Sequence, residues 1–281
     1  MDFKLRVRKS SFLRYVRQND YPGAVCSDHL EYRWANYGCI YSCMTCPHQW
    51  SRSVLFRGKE VYVNLKDSVE ELRNLSDCIL CLSECGDPIS APGLSDVVDF
   101  TLRNTNDSVR VHVRSKMPHI DELDRTIEHD MGSRLIFSLQ IDPLFSSEDL
   151  INSVSSKVSK SQAELRYTVG QILYPFKRPT EFFSIIAKEA VRYNVSRITL
   201  VPVRVPGDDT ELLQYIDPHI TRTSTEAVGP YMYQKTEIRL EWEAKAIKAF
   251  AEHGYKGHVA ACRETEYVHA QLGFSKACDC I

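Results

Sequence analysis

Short apolar runs alternate with stretches of helical periodicity over most of the chain. The runs at 32–37, 78–83, 109–113, 134–141, 165–173 and 197–205 are mostly rich in β-branched, aromatic or leucine residues and read as strands. Between them, apolar spacing of three and four predicts helices at 68–75, 94–103, 118–129, 147–158 and 180–193. Asp67 with the acidic pair Glu70 and Glu71 marks the start of the first helix, and Thr180 caps the fifth. Repeated β-α units of this length favour a parallel sheet with right-handed crossovers. Six of them make an open partial barrel, short of a closed eight-unit one.

The pattern breaks at Pro206-Gly207-Asp208-Asp209, after which a long helix is expected at 234–253. We therefore divide the chain into an N-terminal extension (1–30), a barrel core (31–206) and a C-terminal extension (207–281) with the long helix and a cysteine-containing tail. No repeat, low-complexity tract or Pro/Gly/Ser linker interrupts this layout.

Composition narrows the class. The 281 residues are 43% hydrophobic and 26% charged, which is globular and enough to bury a substantial core without disulfides. The net charge of −2 provides no global cationic field for nucleic acid or anionic membrane, though 35 Lys and Arg leave room for a local patch. The N-terminus lacks an uninterrupted apolar stretch of signal-peptide type, and no window approaches a membrane span. A soluble, cytoplasmic protein is expected. Ten cysteines in such a chain point to metal or redox chemistry rather than a disulfide scaffold.

The chemistry concentrates at "YGCIYSCMTCPHQW", residues 37–50, where Cys39, Cys43 and Cys46 are spaced C-x3-C-x2-C just after the first strand. In parallel α/β folds, ligands bind at the carboxyl ends of the strands. Three thiolates on one loop hold three irons of a cubic [4Fe–4S] cluster and leave the fourth iron open to a cofactor or substrate. The competing reading is structural zinc, with His48 or Cys26 as the fourth ligand, although zinc pairs are usually separated by a longer span.

This motif in a chain of β-α units resembles the radical S-adenosylmethionine superfamily. The resemblance implies a partial (β/α)6 barrel, a [4Fe–4S] cluster on Cys39, Cys43 and Cys46, and S-adenosyl-L-methionine chelating the open iron. It further implies one-electron cleavage to a 5′-deoxyadenosyl radical that takes hydrogen from a substrate, with an electron donor such as flavodoxin or ferredoxin. One departure is Thr45, which stands where the superfamily usually has an aromatic residue; Tyr41 or His48 are candidates to replace it.

The words "CILCLSECGDPIS", "VHVRSK" and "IFSLQIDP" are similar to the spore photoproduct lyase-like branch. That similarity implies that Glu84 accepts from the cofactor amine, Arg114 pairs with its carboxylate, and Ser138 and Gln140 reach its ribose hydroxyls. Gly170 would allow backbone approach to adenine. Cys85, in the loop at the active end, is the candidate catalytic thiol that quenches a substrate radical. Cys78 and Cys81 lie within a strand, so they cannot readily converge with Cys85 on a second cluster and read as buried. Cys262, Cys278 and Cys280 leave an auxiliary metal site open.

Aromatic and basic residues at 174–178 and 231–235 are compatible with nucleic acid, though such clusters are more often loop anchors and solvated charge, and the basic start is compatible with polyanion binding and with a solvated edge. The favoured substrate is a nucleobase or nucleotide, within DNA if the branch similarity holds, with a lyase, isomerase or base-modifying outcome. A free metabolite or peptide is the first alternative, and a non-catalytic zinc-stabilised binding module the second.

Overall fold

The computed structural model describes residues 69–82, 87–90, 94–116, 118, 120–130, 132–142, 146–170, 179–206, 225–228, 231–262 and 264–274. It also gives the backbone of five strands nearer the N-terminus. Those are β1 (Lys4–Arg6), β2 (Leu13–Val16), β3 (His29–Tyr32), β4 (Ala35–Asn36) and β5 (Glu60–Tyr62).

Beyond them, strands and helices alternate as the periodicity predicts. The order is α1 (Val69–Arg73), β6 (Ile79–Cys81), α2 (Leu94–Asn104), β7 (Arg110–Ser115), α3 (Ile120–Glu128), β8 (Leu135–Ile141), α4 (Glu148–Val158), β9 (Glu164–Gly170), α5 (Pro179–Arg192) and β10 (Arg197–Val201). Local signals account for the boundaries. Ser147, extended at φ −77°, accepts from the Leu150 amide at the head of α4, and Glu148 and Asp149 face the positive end of its dipole.

The main sheet runs β14-β10-β9-β8-β7-β6-β3-β2. From β3 through β10 every pairing is parallel, which is the partial (β/α)6 barrel expected. The sheet extends past this barrel on both sides. β2 pairs antiparallel with β3 at one edge, and β14 (His258–Ala261) adds a seventh parallel strand beside β10 at the other. The segment after 206, expected as a helical extension, thus supplies the long helix α6 (Thr236–Glu252) and also a sheet strand. It closes with α7 (Glu266–Leu272). A three-stranded sheet of β11 (Arg204–Pro206), β13 (Tyr231–Gln234) and β12 (Thr225–Val228) stands between β10 and α6. No helix among the described residues is long and apolar enough to cross a membrane.

Strand alternation sorts the side chains of the parallel sheet into two faces. Leu80, Val111, Val113, Leu135, Phe137, Leu139, Leu165, Tyr167, Val169, Ile198 and Leu200 pack into one buried core with Leu94, Val98, Leu102, Leu123, Ile151, Val154, Phe183, Ile186 and Phe250 from the helices. At about 1.5–3 kcal/mol per large apolar side chain, this face is the dominant stabilising term. Phe183 anchors it, edge-on to Trp242 at 4.6 Å and to Phe250 at 6.0 Å. The residues of opposite parity form a second face that is mostly polar, with Ile79, Ile136 and Val201 as its apolar members.

Candidate active site

Register places the polar residues side by side. Cys81 of β6 is level with His112 of β7; Arg114 with Ser138 of β8 and Arg166 of β9; Gln140 with Thr168 of β9 and Thr199 of β10. Gly170 ends the same face, level with Val201. Most of these side chains are buried: Cys81, His112, Ser138, Arg166, Thr168 and Thr199 are each below a tenth exposed. Burying polar groups is unfavourable unless they are partnered, so such a face has a purpose other than packing.

Partners join the strands laterally. The two nitrogens of His112 face different neighbours: Nε2 lies 2.6 Å from Ser138 Oγ, and Nδ1 lies 3.6 Å from Cys81 Sγ. The Arg114 guanidinium approaches the same sulfur at 3.9 Å. The fully buried Thr199 hydroxyl has no hydrogen-bond partner among the described residues. Among the described residues, a Cβ placed on Gly170 would meet the Ile141 carbonyl oxygen, at 3.9 Å.

A second network ties the loops at the carboxyl end of the sheet. Asp87, buried after β6, accepts from Ser115 Oγ at 2.8 and 2.9 Å, from the Lys116 amide at 2.6 Å and from the Ile89 amide at 3.1 Å. The Lys116 ammonium then reaches Asp142 Oδ2 at 2.8 Å, and both of those side chains are largely buried. The Asp142 amide in turn donates to Ser146 Oγ at 3.0 Å. Asp87 of the quoted word "CILCLSECGDPIS" and Asp142 of "IFSLQIDP" are thereby connected through Lys116.

At the amino end of the polar face, Glu164 receives Arg166 Nε and Ser196 Oγ, each at 2.6 Å, and Arg110 from β7. Burial pushes its carboxyl up, but those hydrogen bonds and the Arg166 charge outweigh burial and hold it down at about 2. A charged floor therefore closes the face opposite the carboxyl end.

Arg114, Ser138, Gln140 and Gly170, four of the residues singled out in the sequence, share this one face. His112 and Lys116 were missed. His112 sits in the quoted word "VHVRSK" two positions before Arg114, and period-two alternation puts it on the same face. Cys81 is buried, as read, and lies against His112 and Arg114, whereas Cys78 is only partly buried and packs against the apolar core. Cys39, Cys43, Cys46, Glu84 and Cys85 lie outside the described residues, as do Tyr41, Thr45, His48, Cys26, Cys278 and Cys280. The cysteine loop does fall between β4 and β5, and β4 begins three residues after the last residue of β3. Because β3 is parallel to β6, its last residue marks the carboxyl end of the sheet. Cys262 is buried just past β14, and no metal-ligating cluster occurs among the described residues.

A parallel open sheet of six strands with helices packed on one face is a partial (β/α)6 barrel. Among solved structures, the chain is similar to a mutant of spore photoproduct lyase in which phenylalanine replaces a tyrosine. The TM-score is 0.64 over 93% of this chain and 82% of that one. Sequence identity is 17%, so the likeness is one of fold. No protein-family model matches the chain, and no curated protein matches it by sequence.

Proposed function

We propose that the chain is a radical S-adenosylmethionine enzyme, with a [4Fe–4S] cluster on Cys39, Cys43 and Cys46 and the cofactor lying across the inner face of β7 to β10. The observation that carries this reading is the common face of Arg114, its register neighbour Ser138 on β8, and Gln140 two residues further along β8 towards the carboxyl end of the sheet. Bound there, cluster and cofactor would supply one-electron reductive cleavage and hydrogen-abstracting radical chemistry.

The chain's own groups bind and orient. The donor set suits an amino-acid sulfonium nucleoside: a guanidinium for the carboxylate at Arg114, and a hydroxyl and an amide for the ribose at Ser138 and Gln140. The Thr199 hydroxyl, unpartnered among the described residues, and Gly170, which lacks a side chain, favour adenosine further along the face. Glu84 would accept from the cofactor amine, and the Cys85 thiol would return hydrogen to the substrate radical, its thiyl then being restored by one electron from the flavodoxin or ferredoxin donor and a proton. Asp87, Lys116 and Asp142 hold the loops after β6, β7 and β8 in register around these groups.

The proposed substrate is a nucleobase or nucleotide in DNA, with a lyase or isomerase outcome. A fold shared with a protein named for lyase action on a photoproduct supports that outcome. Flavodoxin or ferredoxin would supply the electron. The test is anaerobic purification with iron, sulfide and zinc counted. About four irons per chain in a brown protein is the expected result; about one tightly held zinc in a colourless protein would overturn it. Substitution of Arg114→Gln removes a charge-assisted pair and should weaken S-adenosylmethionine binding by about tenfold or more. Nucleic acid, but not small metabolites, should shift the protein's mobility.

A further inference from the structure

His112 occupies a position that neither cofactor binding nor the Cys85 role explains. It is 1% exposed, on the polar face, at the centre of a line running from β6 through β7 to β8. A neutral imidazole carries one N–H, so it donates at one nitrogen and accepts at the other. With Nε2 at 2.6 Å from a serine hydroxyl and Nδ1 at 3.6 Å from a thiol, both nitrogens are used at once. We propose that His112 is a positioning residue which couples the Ser138 hydroxyl to the Cys81 thiol, fixing the first for the cofactor and setting the protonation of the second. The cofactor half rests on the function proposed above; the thiol half does not.

The chemistry follows from the ring. Nε2–H donates to Ser138 Oγ, which leaves the hydroxyl proton free to point along the face towards a ligand. The lone pair on Nδ1 then faces the Cys81 S–H. Proton transfer from sulfur to Nδ1 gives a thiolate and an imidazolium, with Nε2–H still held by Ser138. The Arg114 guanidinium, 3.9 Å from the sulfur, stabilises the thiolate. Thiols beside His or Arg titrate well below the free value of about 8.5. Two further charged residues are in register here: Arg166, level with Ser138 on β9 and paired with Glu164, favours the thiolate and disfavours the imidazolium, while Glu31, level with Cys81 on β3, is an acid whose charge acts in the opposite sense.

The experiment uses the cluster-loaded full chain, kept anaerobic, with two readouts. Cys81 modification by methyl methanethiolsulfonate is followed across pH by peptide-resolved mass spectrometry, and S-adenosylmethionine affinity by equilibrium dialysis. In the wild type, the modification midpoint should lie at least about one pH unit below the free-thiol value. The variant His112→Gln can place an amide N–H near the Nε2 position but holds no base for the thiol. It should keep cofactor affinity within about twofold and raise the Cys81 midpoint to about 8.5 or above. His112→Ala should raise the midpoint equally and also weaken the cofactor about fivefold, one hydrogen bond's worth.

A purely structural histidine predicts parallel losses in both variants, and that pattern would overturn the proposal. So would a wild-type midpoint unchanged by His112→Gln. Where the histidine variants fold poorly, Ser138→Ala gives a second test. Loss of the Nε2 partner should move the Cys81 midpoint, and an unmoved midpoint contradicts the coupling. Failure of the wild type to bind S-adenosylmethionine would sink the radical reading and the cofactor half together, while the Cys81 midpoint still decides the thiol half.

Discussion

Replacing Glu164 with glutamine tests the physical account of the polar face at its floor. The carboxylate joins β9 to β7 through Arg110 and to the start of β10 through Ser196, and it pairs with Arg166 on its own strand. Glutamine keeps the shape and removes the charge. The carboxyl is held at about 2, against an ordinary 4.5, which corresponds to about 3 kcal/mol of preference for the charged form. The side chain is 23% exposed, so screening brings the expectation to about 2 kcal/mol. The sign follows from the direction. A depressed folded value means that stability is fully present above 4.5 and is lost as pH falls through about 2. Urea unfolding at neutral pH should therefore find Glu164→Gln weaker by about 2 kcal/mol, and the gap should narrow to less than about 1 kcal/mol near pH 2. A gap that stays constant across that range would refute the electrostatic reasoning and make the effect one of packing.

Removing the Asp87 carboxylate in Asp87→Ala strands the fully buried Ser115 hydroxyl and leaves the Lys116 and Ile89 amides without their acceptor; we expect about 3 kcal/mol of lost stability by thermal unfolding, and a loss below about 1 kcal/mol would contradict the network. In the C-terminal segment, burial and the neighbouring Glu264 raise the Glu243 carboxyl well above its usual value, with Arg239 opposing. The folded state thus holds a proton there that the unfolded chain releases, so wild-type stability should decline as pH rises above about 4.5, and Glu243→Gln should flatten that decline. Replacing Arg239→Leu leaves Glu264, which it contacts at 2.9 Å, as an uncompensated buried acid; a loss of about 3–5 kcal/mol is expected, measured by urea unfolding at neutral pH.

The barrel was legible because each parallel strand is apolar enough to stand out and each helix has a face of its own. The fourth strand was read at 134–141 and is Leu135–Ile141; the fourth helix was read at 147–158 and is Glu148–Val158. β14 escaped because His-Val-Ala-Ala is short, weakly β-branched and separated from the other strands by the small sheet and α6; only its neighbour β10 makes it a strand. The run at 197–205 was read as one strand, but Pro202 removes a ladder donor, and the chain leaves the main sheet after Val201 for the small one. Arg114, Ser138 and Gln140 were reached through short words, and the structure adds what words cannot give, a common face. Period-two alternation from Arg114 could have put His112 on that face, but its role, like that of Lys116, shows only when Cys81, Ser138 and Asp142 come alongside.

The most direct test of the central claim is to add dithionite and S-adenosylmethionine to the reconstituted protein and quantify 5′-deoxyadenosine. The account predicts that the nucleoside forms in the wild type and that both it and the iron are lost in Cys43→Ala. A wild type that holds zinc and yields no 5′-deoxyadenosine would contradict the account and leave a zinc-stabilised binding module on a borrowed barrel.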